Sequence, residues 1–318
     1  MKPADMLQSG LIVGNFGRHF LVEAVEGNRL ICHSRGKKSH GVVGDHVLWK
    51  PSQDEGTIEK IEPRRNLFYR QDEVRTKSFA ANLDQVLILI AAEPEFSSSQ
   101  LSRALIAAEA EHITAIIGLN KSDLVEPFER AWAWLQPYRH MHYGVLPLSL
   151  KASADVDRVE LLKLLGGKTT LVLGPSGAGK STLINLLAPG ALAQTGEISQ
   201  ALNAGKHTTT STTWYWVEKG VEGVEGAKTT AIIDSPGFQE FGLNHIDPAQ
   251  LAAYMPDLKP HVANCKFYNC SHLHEPGCGV KPAVSKSAVV TGPNEISQNR
   301  YKIYSELFAE LSENNGRY

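Results

Sequence analysis

Eight residues, Gly174-Pro175-Ser176-Gly177-Ala178-Gly179-Lys180-Ser181, stand between an apolar run at 169–173 and a helix-forming run at 180–187. No other feature constrains the fold as strongly. A buried strand must turn through glycines into a helix N-terminus, where successive backbone N–H groups face one way. Such a loop cradles phosphates. Lys180 would reach the β- and γ-phosphates of a nucleoside triphosphate, and the Ser181 hydroxyl, followed by Thr182, would ligate Mg2+. Alone, the loop would serve an ATPase or a small-molecule kinase equally well.

The base is decided elsewhere. Asn120-Lys121-Ser122-Asp123 follows a second apolar run, 113–119. The Asp123 carboxylate can accept from the ring N–H and the exocyclic amino group of guanine, whereas adenine offers neither donor in that geometry and would strand a buried acceptor. Asn120 would tie this loop to the phosphate loop, and the stem of Lys121 would lie along the base. Ser149, after a short strand at 145–148, would donate to the guanine carbonyl. Asp234-Ser235-Pro236-Gly237 follows a strand at 229–233: Asp234 would stand behind Mg2+ and the Gly237 N–H would meet the γ-phosphate. Between these motifs lies Gly205-Lys206-His207-Thr208-Thr209-Thr210, in which Thr209 would complete the Mg2+ shell.

The order of these motifs is unusual, because Asn120 precedes Gly174. In an ordinary GTPase chain the phosphate loop comes first. All these loops leave the C-terminal edge of one parallel sheet, so joining the old ends and opening new ones preserves the site. Circular permutation is the economical explanation. One further departure concerns the trigger. Ras-like switches place a water-orienting glutamine just after the Asp-x-x-Gly motif, but that position here is Phe238, which cannot hydrogen-bond water. Gln239 is offset by one residue, which leaves His207 as the candidate catalytic group.

The chain of 318 residues leaves room for further modules on either side. Short β-like runs between about 11 and 63, punctuated by Gly and charged turns, suit a five-stranded OB-type barrel. A charged segment at 64–77 reads as a flexible linker, followed by strand–helix alternation from residue 82. Near Pro256 the alternation stops, and a final helix spans about 298–311. The expected division is a barrel with linker at 1–80, a permuted α/β P-loop GTPase domain at 81–250 and a C-terminal metal-binding module at 251–318. With 42% hydrophobic and 21% charged residues the composition is that of an ordinary soluble protein. No apolar run approaches the roughly 20 residues that a bilayer requires, and the N-terminus lacks a signal-peptide pattern. A cytoplasmic monomer with no membrane partner is the expectation.

Cys265, Cys270, His272 and Cys278 form a C-x4-C-x-H-x5-C array. In a reducing compartment such clustering points to one structural Zn2+ in a closed tetrahedral site, with His274 and the more distant His261 as alternative ligands. Cys32, inside an apolar run, reads as a core residue. The net charge of −2 does not advertise nucleic-acid binding, so an RNA contact must rest on local patches. The basic loop His33-Ser34-Arg35-Gly36-Lys37-Lys38-Ser39-His40 supplies one, with Arg35, Lys37 and Lys38 as candidates.

Together these residues resemble the circularly permuted GTPases of small-ribosomal-subunit biogenesis, the RsgA/YjeQ type. The likeness covers the Val43-Gly44-Asp45 and Ile61-Glu62-Pro63-Arg64 segments of the barrel, the permuted motifs with Gly205 to Thr210, and the Cys/His segment through Arg300-Tyr301. It implies a bacterial late-assembly factor that cycles between GTP and GDP. Such a factor binds the small ribosomal subunit, contacts its rRNA through the barrel and zinc module, and is stimulated by the subunit to hydrolyse GTP.

Overall fold

The computed structural model describes residues 7–36, 40–52, 55–73, 75–191, 212–217, 229–236, 238, 241–287, 290, 292 and 294–315. Five antiparallel and parallel pairings close β1 (Gln8–Phe16), β2 (His19–Ala24), β3 (Arg29–Ser34), β5 (Gly56–Ile61) and β4 (His46–Pro51) into a barrel, with β4 returning to pair with β1. Ile12, Val13, Phe20, Leu21, Val22, Cys32, Val47, Trp49 and Ile58 are buried, so closing the sheet takes its apolar side chains out of water. Cys32 is thus a core thiol, and burial pushes its pKa up to about 11.

The motif residues at the barrel exit have a structural explanation. Gly44 has φ 93°, and a Cβ there would meet the Ala81 carbonyl oxygen at 2.2 Å, so only glycine fits. Asp45 is fully buried; it accepts from the Val42 N–H at 2.8 Å and from Arg64 Nε and Nη2 at 2.7 and 2.8 Å. Hydrogen bonding to Asp45 raises the Arg64 pKa, against the cost of burial.

The charged segment at 64–77 is not a flexible linker. It forms most of a hairpin, β6 (Leu67–Gln71) with β7 (Thr76–Ala81), whose Phe68 and Phe79 are buried against Phe241. Its charged residues lie beside two aromatic residues that make it part of the core, so apolar content overrides the charge pattern.

The central sheet runs β10 (Gly144–Pro147), β9 (Thr114–Asn120), β8 (Gln85–Ala91), β11 (Thr169–Leu173), β13 (Ala231–Asp234) and β12 (Thr212–Trp216). All its pairings are parallel except β12 with β13. β8 is buried at every position, as a sheet covered on both faces requires. Helices α1 (Ser98–Ala110), α2 (Val125–Trp134), α3 (Gln136–His140), α4 (Ala154–Leu165) and α5 (Lys180–Leu187) follow the strands. The helix-forming run at 128–138 folds as parts of two helices, broken at Leu135 just before Pro137. α4, unforeseen in the sequence, buries Leu161, Leu162 and Leu165. The barrel is not a separate bead: Gly14 and Asn15 of β1 pair with Thr213 and Thr212 of β12, so one eleven-stranded sheet runs through both.

The C-terminal helix (Gln298–Asn315) packs back on the rest through a buried ion pair. Arg300 donates to both oxygens of Asp257 at 2.8 and 2.9 Å, and to Ser102 Oγ on α1 at 2.7 Å. Its guanidinium also faces the Tyr138 ring of α3 at 5.3 Å. Among the described residues no helix is long and apolar enough to cross a membrane.

His245, in the segment after β13, packs against Tyr69 of β6 with tilted rings 4.3 Å apart, and neither ring nitrogen has a partner among the described residues. Burial holds its pKa down to about 4. The unfolded chain, with a pKa of about 6.5, binds this proton first. Stability contributed by the neutral ring is therefore complete above about pH 6.5 and is lost as the pH falls towards 4. Denaturant midpoints measured from pH 7.5 to 5 should fall for the native protein and fall less for His245→Phe.

Candidate nucleotide and metal sites

The loops at the C-terminal edge of β9, β10, β11 and β13 converge on a cleft of about 740 Å3. It is lined by Asn120, Lys121 and Asp123 after β9, by Gly174, Pro175, Ser176, Gly177, Gly179, Lys180, Ser181 and Thr182 around the N-terminus of α5, and by Pro236 and Phe238 after β13. Ala178, in the same loop, is buried beneath it. The N-terminus of α5 opens onto this space, and the partial positive charge of a helix N-terminus favours an anion there.

The base loop and the phosphate loop are joined directly. Buried Asn120 donates through Nδ2 to the Ala178 carbonyl at 2.8 Å and accepts through Oδ1 from the Leu150 N–H at 3.2 Å. Gly179 is required by this contact, because a Cβ there would lie 2.3 Å from Asn120 Nδ2 and its φ is 102°. Lys121, at φ 65°, sends its ammonium to the Glu93 carbonyl, which leaves its stem along the cleft wall. The Ser122 N–H donates to the Leu148 carbonyl at 2.9 Å and fixes the turn that presents Asp123.

Ser149 holds Asp123: its hydroxyl donates to Asp123 Oδ1 at 2.6 Å, while its own N–H donates to Asp157 Oδ2 at 2.6 Å. The serine hydroxyl is thus engaged with the carboxylate rather than free for a base carbonyl. Burial raises the Asp157 pKa, and the Ser149 N–H works against that rise. Lys151, which the sequence reading passed over, also lines the cleft. Its signal was a lysine two residues past Ser149 on the same strand-to-helix turn.

Lys180 Nζ lies 2.7 Å from Asp234 Oδ1, with both side chains largely buried. A phosphate would compete with Asp234 for the ammonium, and a divalent cation would compete with Lys180 for the carboxylate. Phe238 is buried, lines the cleft and packs on Phe241 at 6.4 Å between ring centres. His207, Thr209, Gly237, Lys37 and Lys38 lie outside the described residues. Arg35 is exposed at the edge of the barrel, 2.5 Å from Glu59.

The second constellation closes on itself. One ligand atom each from Cys265, Cys270, His272 and Cys278 lies within 4.8 Å of all the others. His272 Nδ1 is 3.4 Å from Cys265 Sγ and 3.7 Å from Cys278 Sγ. A tetrahedron with metal bonds of about 2.0–2.3 Å has edges of roughly 3.3–3.8 Å, so the donor set fits a zinc-sized ion. His272 is the histidine in the cluster, and His274 is exposed. The electrostatics agree: burial pushes the Cys270 thiol up to about 12 and holds the His272 pKa down, so thiolates here require a cation. Tyr301 and Tyr304 of the C-terminal helix donate to the carbonyls of His272 and Ser271, both at 2.8 Å, and so bind the helix to the metal loop.

The family model for the RsgA GTPase matches residues 61–244. A small ribosomal subunit biogenesis GTPase RsgA from Variovorax paradoxus is 70% identical over 310 residues, covering 98% of this chain and 94% of that protein. Its counterpart from Paraburkholderia xenovorans is 45% identical over 313 residues, covering 98% and 96%. Among solved structures, YjeQ from Thermotoga maritima superposes with a TM-score of 0.71 at 27% identity, covering 96% of this chain and 99% of that one. YloQ, described as a circularly permuted GTPase, gives 0.68 at 26% identity, covering 100% and 99%.

The fold and the cleft define a P-loop GTPase with permuted strand order, carrying a barrel before and a Cys/His module after the nucleotide domain. The chain belongs to the RsgA GTPase family.

Proposed function

We propose that the chain hydrolyses GTP in this cleft as a checkpoint in late assembly of the small ribosomal subunit. The observation that carries the reading is the direct Asn120–Ala178 hydrogen bond, which couples a guanine-type base loop to a phosphate loop. The names of the relatives supply the ribosomal context. Asp123, held by Ser149, accepts from the base; Lys121 covers its plane; the backbone of 174–179 and Lys180 receive the phosphates. Ser181 and Thr209 hold Mg2+ with Asp234 behind them, and the ion when bound neutralises charge developing on the phosphate oxygens. The Gly237 N–H meets the γ-phosphate.

The modules divide as 1–80, 81–250 and 251–318. Arg35, Lys37 and Lys38 contribute to rRNA contact by the barrel, and one structural Zn2+ holds the C-terminal module. The protein acts as a cytoplasmic monomer. Phe238 offers no hydrogen bond to water, so intrinsic hydrolysis is slow and the subunit supplies the trigger by engaging the Thr-rich segment, in which His207 accepts from the attacking water.

The test is GTP turnover with and without purified small subunits. Strong stimulation supports the checkpoint, and equal competition by ATP for the cleft would instead make the protein an ATPase. His207→Ala is expected to keep GTP affinity and subunit binding while losing most of the stimulated rate. Full stimulation would transfer the role to Gln239 or to the ribosome. Chelation, or Cys270→Ala, is expected to unfold the C-terminal module and spare GTP binding, read as loss of one zinc per chain and of a separate melting step. Protein prepared without chelator that contains no zinc would refute the metal assignment.

A further inference from the structure

A second group of ligand-type side chains lies on the barrel, apart from both sites above. His19 opens β2 and His33 stands directly opposite it on β3 in the antiparallel register. Their rings are 4.7 Å apart, centre to centre. Glu55 immediately precedes β5, whose Thr57 pairs with His33 in a parallel ladder, so the two-residue period puts Glu55 on the same face as His33. Its carboxylate touches His33 Nε2. One ligand atom from each of the three lies within 4.8 Å of the other two. The neighbours in sequence, Phe20 and Cys32, are buried in the barrel. The trio therefore occupies the opposite, outward face, where His33 and Glu55 side chains are 39% and 44% exposed and free to adjust.

We propose that His19, His33 and Glu55 form a second metal site, on the outer face of the barrel, that takes a borderline divalent transition-metal ion such as Ni2+ or Zn2+. Two imidazoles and one carboxylate are the donors such ions prefer over the oxygen-only sets of Mg2+ and Ca2+. The donors come from three elements that are neighbours in the sheet, two of them regular strands. Glu55 is held by its backbone: Ser52 N–H donates to the Glu55 carbonyl at 2.8 Å, closing the β4–β5 turn. Binding replaces the His33–Glu55 contact and cross-links β2, β3 and the root of β5. Three protein ligands leave at least one coordination position open to water or to an outside donor.

The alternative is a plain histidine–carboxylate ion pair with His19 as a bystander, and the experiment separates the two. Tag-free full-length protein, already carrying its cysteine-bound zinc, is titrated with Ni2+ by calorimetry and its melting is followed in parallel. The expected result is one further equivalent of Ni2+ per chain with a raised melting temperature. His19→Asn and His33→Ala should each weaken uptake about tenfold or more. A chain that takes up no further Ni2+, or takes it up equally well in both variants, overturns the proposal. Should His33→Ala melt without cooperativity, His19→Asn decides, because His19 makes no ion pair with Glu55 and its loss would leave an ion pair undisturbed.

Discussion

Asp123→Asn is expected to lower GTP affinity by roughly 10²–10⁴-fold while raising that of xanthosine triphosphate. Two guanine N–H groups are at stake, and hydrogen bonds to a charged acceptor contribute about 1.5–3 kcal/mol each. An amide keeps one acceptor and turns the other into a donor, which opposes the guanine amino group and suits the xanthine carbonyl. Ser149 makes the test clean, because its hydroxyl at 2.6 Å can still donate to the retained side-chain oxygen and keep the loop in place. Ser149→Ala should weaken GTP less, through looser positioning alone. Nucleotide affinities by fluorescence titration decide the matter, and unchanged GTP binding in Asp123→Asn would remove this residue from the base site.

The largest stability effect is expected at Asp257. Arg300 is 2% exposed; burial alone would lower its pKa, and the Asp257 carboxylate more than offsets that, so the guanidinium stays charged. Asp257→Ala would leave that charge without its partner, a loss of about 3–5 kcal/mol. Ser102 and the Tyr138 ring remain, but neither carries a neutralising charge. Replacing both partners with apolar residues, as in Asp257→Leu with Arg300→Met, should cost less than the single change, since no buried ion is left alone. Urea unfolding followed by tryptophan fluorescence measures both. A single variant as stable as the parent would mean that water reaches Arg300.

These two residues illustrate what the chain discloses in one dimension and what it hides. Asp123 was readable because chemistry fixes its spacing from Asn120 and its place after a strand. The same holds for the phosphate loop and for the four ligands from Cys265 to Cys278, where function needs residue types at short intervals. Arg300 stood in the sequence as a motif residue with no reason attached; its partner Asp257 lies 43 positions away. The β6–β7 hairpin was masked by its charges, because Phe68 and Phe79 show their value only against Phe241. Lys151, which lines the cleft, and Asp157, which holds the Ser149 N–H, were missed because they come from the turn before α4 and from α4 itself, segments with no motif of their own. Long-range pairing is what sequence periodicity does not encode.

One such pairing has a consequence for how the two halves communicate. Thr213 is flanked in the sheet by Asp234 of the nucleotide cleft on one side and Gly14 of the barrel on the other. The strand that makes this bridge begins at Thr212, two positions after the Thr-rich segment ends at Thr210. The root of that segment is thus stitched between the nucleotide domain and the barrel by main-chain bonds, whose register cannot slip by one residue without turning side chains inside out. Sliding is forbidden and tilting is left. A grip on the barrel that prefers one tilt would change nucleotide affinity by some factor, and nucleotide would change the strength of the grip by the same factor, as thermodynamic reciprocity demands.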